Sequence, residues 1–195
     1  ALGDWKAPDN WYQRSIEERN KWDEYVAKES GPTNQELPSY AHAVGAVYRN
    51  SDPSDIVVTA AGGLVGEVVQ IWKPKEINTF ETEWGFSCMG YEISGALGIK
   101  MAKPDQDVVV FVGDGSYLLQ NSDIYSSVLY DKKLIIVVCD NGGHMVINRL
   151  QLAKGGKEYL CNLNAAGATN LQFVDFEAHA KSMGANAETV KSTSE

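Results

Sequence analysis

The chain has 195 residues, 44% of them apolar, and its 26 acidic residues outnumber its 17 basic ones to give a net charge of −9. This content can bury a sizeable core in one domain, while the acidic balance argues against nucleic acid as a partner, because phosphate neutralisation needs clustered Lys and Arg. No apolar run reaches membrane-spanning length and no signal segment opens the chain, so we expect a cytoplasmic protein with no membrane partner.

The first predicted elements form an N-terminal helix and linker, residues 1–37. Residues 10–30 carry a narrow apolar stripe among many charges, which predicts an amphipathic helix. Turn-forming residues in 31–38 predict a linker, and Ser39 is a suitable N-cap for the next helix. We therefore expect the main domain to comprise residues 38–195.

Apolar strands and helices alternate along this main domain. The predicted elements are strand 55–60, helix 65–72, an extended piece near 79–80, helix 90–102, strand 108–112, helix 116–130, strand 134–139, helix 175–183 and strand 185–190. Continuous β-branched runs are typical of strands buried on both faces of a parallel sheet. Because βα units joined by right-handed crossovers build such a sheet, we predict an α/β fold with a doubly wound, mostly parallel sheet and helices on both faces.

A glycine-rich turn, Gly113-Asp114-Gly115, follows the strand 108–112. Its glycines permit close backbone approach to a ligand, and Ser116 is a suitable cap for the following helix. Unpaired N–H groups at a helix start attract phosphate, together with the positive end of the helix dipole. The turn therefore predicts a phosphate site.

Two kinds of phosphate ligand suit this turn. The pattern partly mimics the dinucleotide fingerprint, with Asp140 as the acidic residue after the next strand, but the third glycine is missing. Asp114 would also repel a bare pyrophosphate, whereas a divalent cation between them reverses the sign of that interaction.

Mg²⁺ is the cation that the neighbouring residues favour. It prefers hard oxygen ligands and usually keeps substrate phosphates and water in its shell. The Asp114 carboxylate, the Asn141 side-chain oxygen and the Gly143 main-chain carbonyl could supply three oxygens at the ends of adjacent strands. The simpler interpretation is that both glycine-rich segments are only tight turns. Their combination favours a site for Mg²⁺ and a diphosphate.

Asn141 follows Asp114 by 141 − 114 = 27 positions. With Gly113-Asp114-Gly115, this spacing resembles the metal motif of the thiamine diphosphate-dependent enzymes of the acetolactate synthase and pyruvate oxidase type. The resemblance covers roughly residue 38 to the C-terminus and is specific at 83–92 and 113–118. It implies thiamine diphosphate and Mg²⁺ as cofactors and identifies this part of the chain as a diphosphate-binding domain.

The resemblance also implies cofactor contacts outside the metal motif. In the family, the residue matching Met89 wedges beneath the cofactor, and the carbonyl matching Ser87 accepts a hydrogen bond from its 4′-amino group. The alternative for Met89 is an ordinary core residue. The predicted cofactor-binding residues are Gly63, Leu64, Ser87, Cys88, Met89, Gly113, Asp114, Gly115, Ser116, Asn141 and Gly143, of which Asp114, Asn141 and Gly143 bind the metal.

Within the family, segments 83–92, 113–118 and 148–151 look most similar to enzymes that hydrolyse a C–C bond of trihydroxycyclohexane-1,2-dione in inositol catabolism. The family's activating glutamate lies in a pyrimidine-binding domain of the same or a neighbouring subunit, and residues 1–54 are too short to hold one. We therefore expect no catalytic residue in this chain and no activity of the chain alone. The resemblance also implies a homo-oligomer and a domain that is truncated at the C-terminus. The three nearby glutamates would orient loops or contact substrate: Glu81, Glu83 and Glu92.

A second hypothesis makes the chain a separate diphosphate-binding subunit of an acetolactate synthase-like enzyme, or of a 2-oxoacid decarboxylase or oxidoreductase. The substrate would then be a 2-oxoacid rather than a diketone. The absence of a Cys-x-x-Cys pair disfavours a cluster-bearing oxidoreductase. His144 could face substrate, and the glycine-rich loop 153–157 could close over the site or simply connect two elements.

Overall fold

Four parallel strands form the central sheet of the computed structural model, which describes residues 3–163, 167 and 173–192. The elements are α1 (Asp9–Glu29), α2 (Tyr40–Arg49), β1 (Ile56–Thr59), α3 (Leu64–Ile71), β2 (Phe80–Thr82), α4 (Tyr91–Ala102), β3 (Val108–Gly113), α5 (Asp114–Leu119), α6 (Ser122–Leu129), β4 (Ile135–Cys139), α7 (Met145–Ala153) and α8 (Phe176–Ser182). The strand order is β2-β1-β3-β4, with every pair parallel. The predicted α/β fold is confirmed.

Alternate residues of the strands point to opposite faces of the sheet, where two separate cores form. One core joins α1, α2 and α3 to the sheet, through residues that include Val44, Leu64, Val68, Val57, Val109 and Phe111. The other joins α4, α5 and α6 to the sheet, through residues that include Ile93, Ala96, Tyr117, Ile124, Val58, Val110 and Val112. The helices therefore cover both faces, and β1 and β3 are buried as predicted, whereas β4 is half-buried along most of its length.

The strand order reverses between β1 and β3. From β1 the chain moves outward to β2, then crosses back to β3 and moves outward in the other direction to β4. Ligands of open α/β sheets bind beyond the carboxyl ends of the strands at such a point. The residues that follow β1, β3 and β4 therefore meet where a ligand site is expected.

The predicted helix 116–130 is wrong, since the structure has two helices there. Gln120 between them has an extended backbone (φ −149°, ψ 93°), and the Asn121 side chain donates a hydrogen bond to the Tyr117 carbonyl at 3.0 Å. Gly90 (φ +94°) lies so close that a Cβ there would be 2.6 Å from the Gln120 Cβ. The predicted cap at Ser116 is also wrong, because α5 begins at Asp114 with Gly113 as its N-cap.

Two further differences lie in the C-terminal third. The predicted strand 185–190 is wrong: this described segment is irregular, and the Thr189 N–H donates to the Glu177 side chain at 2.8 Å instead of pairing with β4. The helix α7 was not predicted, because its exposed apolar residues obscure a helical period. The sequence predictions of α1 and of the Ser39 cap of α2 are confirmed.

Within the described ranges, none of the helices combines the length and the hydropathy needed to cross a bilayer. The predicted C-terminal truncation concerns the chain end, and residues 193–195 lie outside the described residues.

Candidate cofactor site

Asp114 links the turn after β3 to the loop after β4. Its side chain is only 4% exposed, and its Oδ2 accepts a hydrogen bond from the Gly143 N–H at 2.7 Å. Burial raises the pKa of this carboxyl above its ordinary value, and the charge of Asp140 acts in the same direction, while the N–H groups of Gly115 and Gly143 oppose it. None of the ion pairs among the described residues involves Asp114, so a metal ion bound here would offset the cost of burying its charge.

Asn141 lies in the loop after β4, and Tyr40 of α2 sets the orientation of its side-chain amide. The Asn141 Nδ2 donates to the hydroxyl of Tyr40. This hydrogen bond directs the amide nitrogen to Tyr40, and among the described residues no hydrogen bond uses the side-chain oxygen. Burial raises the pKa of Tyr40, which also senses the charge of Asp114. Asp114, Asn141 and Tyr40 therefore share one electrostatic environment.

Gly143 has a backbone conformation that only glycine adopts readily, with φ +139°. A Cβ at this position would lie 2.4 Å from the carbonyl oxygen of Cys161, because the segment 161–163 pairs with the loop. The Gly142 carbonyl accepts a hydrogen bond from the Leu163 N–H at 3.0 Å. In the described part of the chain, no hydrogen bond uses the Gly143 carbonyl, so this oxygen is a possible metal ligand.

A buried hydrogen-bond network lies beneath the site, and we call it the base network: Ala61, Gly90, Glu92 and Ser116. The Glu92 side chain is 1% exposed and accepts hydrogen bonds from the Ala61 N–H at 3.2 Å, the Gly90 N–H at 2.9 Å and the Ser116 hydroxyl at 2.8 Å. These contacts join the ends of β1, α4 and α5. The Ser116 hydroxyl is engaged within the protein, which leaves its main-chain N–H for any ligand.

The segment 83–89, here called the rim segment, is exposed beside the mouth of the site. The Glu83 carboxylate accepts hydrogen bonds from the Phe86 N–H at 2.8 Å and the Cys88 N–H at 2.7 Å, and these hydrogen bonds lower the pKa of Glu83. Ser87 has φ +51°, and Met89 is 40% exposed. Three residues predicted to contact the cofactor, Ser87, Cys88 and Met89, thus share one exposed turn.

Gly115 is the point where the rim segment meets the loop after β4. A Cβ there would lie 2.7 Å from Nδ1 of His144 and 3.4 Å from the terminal carbon of Met89. The two side chains therefore pack over the backbone of the Gly113-Asp114-Gly115 turn. A larger residue at 115 would displace one of them.

The loop after β1 completes the site at the opposite side. Leu64 begins α3 with its side chain 3% exposed, so only its backbone could contact a ligand. Gly63 is approached by Arg149 of α7, whose Nη2 would lie 2.5 Å from a Cβ at position 63. The sequence prediction quoted the segment 148–151 but assigned no function to Arg149, because only the fold brings α7 to this loop.

The predicted metal ligands are all oxygen atoms, which hard cations prefer, and they do not form a cluster of acidic side chains and imidazoles. Among the described residues, no group of three or more His, Cys, Asp and Glu side chains could hold a metal ion. The predicted set differs in kind, because it combines one carboxylate with an amide oxygen and a main-chain carbonyl, which suits Mg²⁺. The assignment of individual residues as ligands stays a prediction.

Residues 60–195 match the family described as "Thiamine pyrophosphate enzyme, C-terminal TPP binding domain". The chain therefore belongs to this family, as the resemblance predicted. Similar curated relatives are named 3D-(3,5/4)-trihydroxycyclohexane-1,2-dione hydrolase. The protein from Lacticaseibacillus casei is 43% identical over 74% of this chain and 22% of its own length, and that from Listeria innocua is 38% identical over 86% and 26%. The chain thus spans about a quarter of the length of the curated relatives it matches.

Solved structures confirm the fold. A thiamine diphosphate-dependent 4-hydroxybenzoylformate decarboxylase of Rhodococcus jostii RHA1 superposes with a TM-score of 0.68 at 17% identity, over 83% of this chain and 29% of that one. Benzoylformate decarboxylase from Polynucleobacter necessarius gives a TM-score of 0.66 at 20% identity, over 84% and 30%. At these identities the likeness concerns the fold alone.

Proposed function

We propose that this chain is the diphosphate- and Mg²⁺-binding part of a thiamine diphosphate-dependent enzyme that hydrolyses a C–C bond of trihydroxycyclohexane-1,2-dione. The observation that carries the proposal is the hydrogen bond between the buried Asp114 and Gly143, which joins two strand ends at the reversal of strand order. The names of the relatives support the hydrolase over the 2-oxoacid enzymes of the second hypothesis.

In this proposal the chain supplies binding and orientation. Asp114, the Asn141 side-chain oxygen and the Gly143 carbonyl would hold Mg²⁺, and main-chain N–H groups at Gly63, Leu64 and Ser116 would bind the diphosphate, with Gly115 permitting close approach of the backbone. When bound, thiamine diphosphate supplies the electron sink for cleaving the C–C bond. The rim residues Ser87, Cys88 and Met89 orient its rings.

The rest of the enzyme would cover the rim segment. Phe86 is 90% exposed and Trp84 is 55% exposed, and such apolar exposure next to a ligand site fits a protein surface that covers it. We assign that cover to a pyrimidine-binding domain of the same or a neighbouring subunit, which carries the activating glutamate. A cytoplasmic homo-oligomer, a small-molecule diketone substrate and the division into residues 1–37 and 38–195 belong to the same proposal.

The assignment of Asp114 as a metal ligand is tested with the variant Asp114→Asn. Thiamine diphosphate is titrated into the wild type and the variant in a calorimeter, in the presence of either Mg²⁺ or EDTA. The amide keeps the shape and can still accept the Gly143 hydrogen bond, but it removes the charged ligand. Since loss of groups that merely support metal ligands costs about 10- to 100-fold in affinity, we expect a loss on the order of 100-fold or more. Wild-type affinity in Asp114→Asn would contradict the proposal. The wild type in EDTA is the control.

The pH dependence of the same titration is a second readout. Metal binding requires the ionised carboxylate, and burial raises the pKa of Asp114. Affinity should therefore fall as pH decreases through a range above that of an ordinary aspartate. Without ligand the sign is opposite: the raised pKa stabilises the fold at low pH, and this contribution disappears as pH rises through the pKa of the folded state. Both effects should be absent in Asp114→Asn.

A further inference from the structure

Arg149 extends from α7 to the loop that precedes α3. Its Nη2 lies against the backbone of Gly63, where a Cβ would be only 2.5 Å away, and the Val146 Cβ lies 4.0 Å from the same position. Glycine at 63 thus makes room for the guanidinium. Because Gly63 follows β1 at the reversal of strand order, the guanidinium stands at the expected ligand site.

The neighbouring residue fixes the orientation of α7. Asn148 is 2% exposed, and its Nδ2 donates to the Glu158 carboxylate at 2.7 Å. Asn162 also donates to this carboxylate, at 3.3 Å, and both hydrogen bonds lower the pKa of Glu158. With Asn148 held toward the loop 158–162, the next side chain, Arg149, leaves the helix on another side and reaches Gly63.

The charge of Arg149 is not neutralised by any ion pair in the described part of the chain. The residue itself is exposed, yet its charge is sensed by Tyr40, the same phenol that binds Asn141. Tyr40 senses the opposite charges of Arg149 and Asp114, so both groups lie near this phenol in a chain of net charge −9. A guanidinium beside the Gly63 backbone that forms no ion pair among the described residues is available to an anion.

We propose that Arg149 binds the diphosphate of the cofactor from the side of α7. This inference rests on the proposed function. The planar guanidinium offers several N–H donors in a fork that matches phosphate oxygens, and such charge-assisted hydrogen bonds are short and strong. The diphosphate would then be held by the residues of the Mg²⁺ site and by Arg149 beside Gly63.

The test compares Arg149→Gln, Arg149→Lys and the charge-matched control Lys103→Gln, an exposed residue at the end of α4, on the side of the amino ends of the strands. Affinities for thiamine diphosphate and for inorganic pyrophosphate are measured by calorimetry with excess Mg²⁺. We expect Arg149→Gln to weaken both ligands by roughly 10- to 100-fold, the range for hydrogen bonds to charged groups. Arg149→Lys should fall between, because it keeps the charge without the fork, and Lys103→Gln should bind as the wild type does.

The outcomes separate this inference from the proposed function. If the wild type binds neither ligand with Mg²⁺, the proposed function itself fails. If the wild type binds and Asp114→Asn does not, but Arg149→Gln binds as tightly as Lys103→Gln, only the Arg149 contact is overturned. The contact is also overturned if Arg149→Gln weakens thiamine diphosphate but leaves pyrophosphate unchanged, because Arg149 would then touch the rings. Equal melting temperatures of Arg149→Gln and Lys103→Gln confirm that both remain folded.

Discussion

The base network and the rim segment lie on two sides of the same site and are built in opposite ways. The Glu92, Ser116 and Asp114 side chains are 1%, 4% and 4% exposed, and their hydrogen bonds are made within the protein. In the rim segment, by contrast, Phe86 is 90% exposed. The comparison indicates that the chain itself preorganises the buried end of the candidate site, whereas the rim segment is open to solvent.

The physical reason for the contrast is the access of water. A buried donor or acceptor that loses its partner keeps the full cost of its desolvation, whereas water replaces a lost partner at the surface. Glu92 and Glu83 each accept hydrogen bonds from two main-chain N–H groups, but only Glu92 does so in the interior. The two glutamates should therefore differ strongly in their effect on stability.

Glu92→Ala should have the largest effect. It leaves the buried Ala61 N–H and the Ser116 hydroxyl without their acceptor, and each unsatisfied group costs about 1–3 kcal/mol, so we expect a loss of roughly 2–6 kcal/mol. The measurement is the free energy of unfolding from urea titration. Glu92→Gln should recover part of the loss, because its amide oxygen can still accept one hydrogen bond.

The matched control for this experiment is Glu81→Ala, which removes an exposed carboxylate from β2. Exposed substitutions of this kind usually change stability by less than about 0.5 kcal/mol. If Glu92→Ala and Glu81→Ala unfold at the same urea concentration, the base network contributes no stability. The base network and the rim segment would then not differ in their effect on the free energy of unfolding.

The difference between these glutamates explains part of what the sequence could not predict. Glu81, Glu83 and Glu92 were expected alike to orient loops or contact substrate, since they are near one another in the chain. Only the fold places Glu92 beneath the ends of β1, α4 and α5. The buried strands β1 and β3, in contrast, were predictable because continuous β-branched runs such as 108–112 report burial directly.

Gly143→Ala should have an intermediate effect, and Gly142→Ala is its control. Both glycines have positive φ, at +139° and +78°, so each substitution strains the backbone by about 1–3 kcal/mol. Only at 143 does the added Cβ also meet another atom, the Cys161 carbonyl at 2.4 Å, whereas at 142 it meets nothing within 4 Å. Gly143→Ala should therefore lose more stability in urea titration, and its Mg²⁺-dependent affinity should fall further. Equal losses would show that the loop shifts freely away from the segment 161–163.

Residues near the loop after β4 show which parts of the candidate site the sequence pattern predicted and which it did not. Gly113-Asp114-Gly115 and Asn141 were predicted from the combination of residue types, their spacing and the family resemblance, and their role as ligands stays a prediction. Arg149 was not singled out, because it lies on a helix whose exposed Ile147 and Leu150 conceal its period. Its contact with Gly63 joins residues far apart in sequence.

The smallest expected effect is that of Glu83→Gln on the reactivity of Cys88 in the rim segment. Partial desolvation raises the pKa of the Cys88 thiol, and the negative charge of Glu83 raises it further. Removing that charge lowers the pKa, so the thiolate forms at lower pH and alkylation at fixed pH becomes faster, by about two- to fivefold for an exposed charge pair. Iodoacetamide labelling followed by mass spectrometry of the Cys88 peptide measures this rate separately from Cys139, whose pKa burial raises to about 12.

Glu81→Gln is the control for the alkylation experiment. This substitution also removes one carboxylate charge, but Glu81 is not among the groups that act on the pKa of Cys88. We expect its pH profile to match the wild type and the urea midpoint of Glu83→Gln to stay unchanged, since water can replace the exposed carboxylate. A profile for Glu83→Gln that coincides with that of Glu81→Gln would show that the Glu83 carboxylate does not hold the rim segment in solution. A large loss of stability in Glu83→Gln would instead show that the hydrogen bonds of the rim segment stabilise the fold as those of the base network do. The two regions would then differ only in their exposure to solvent.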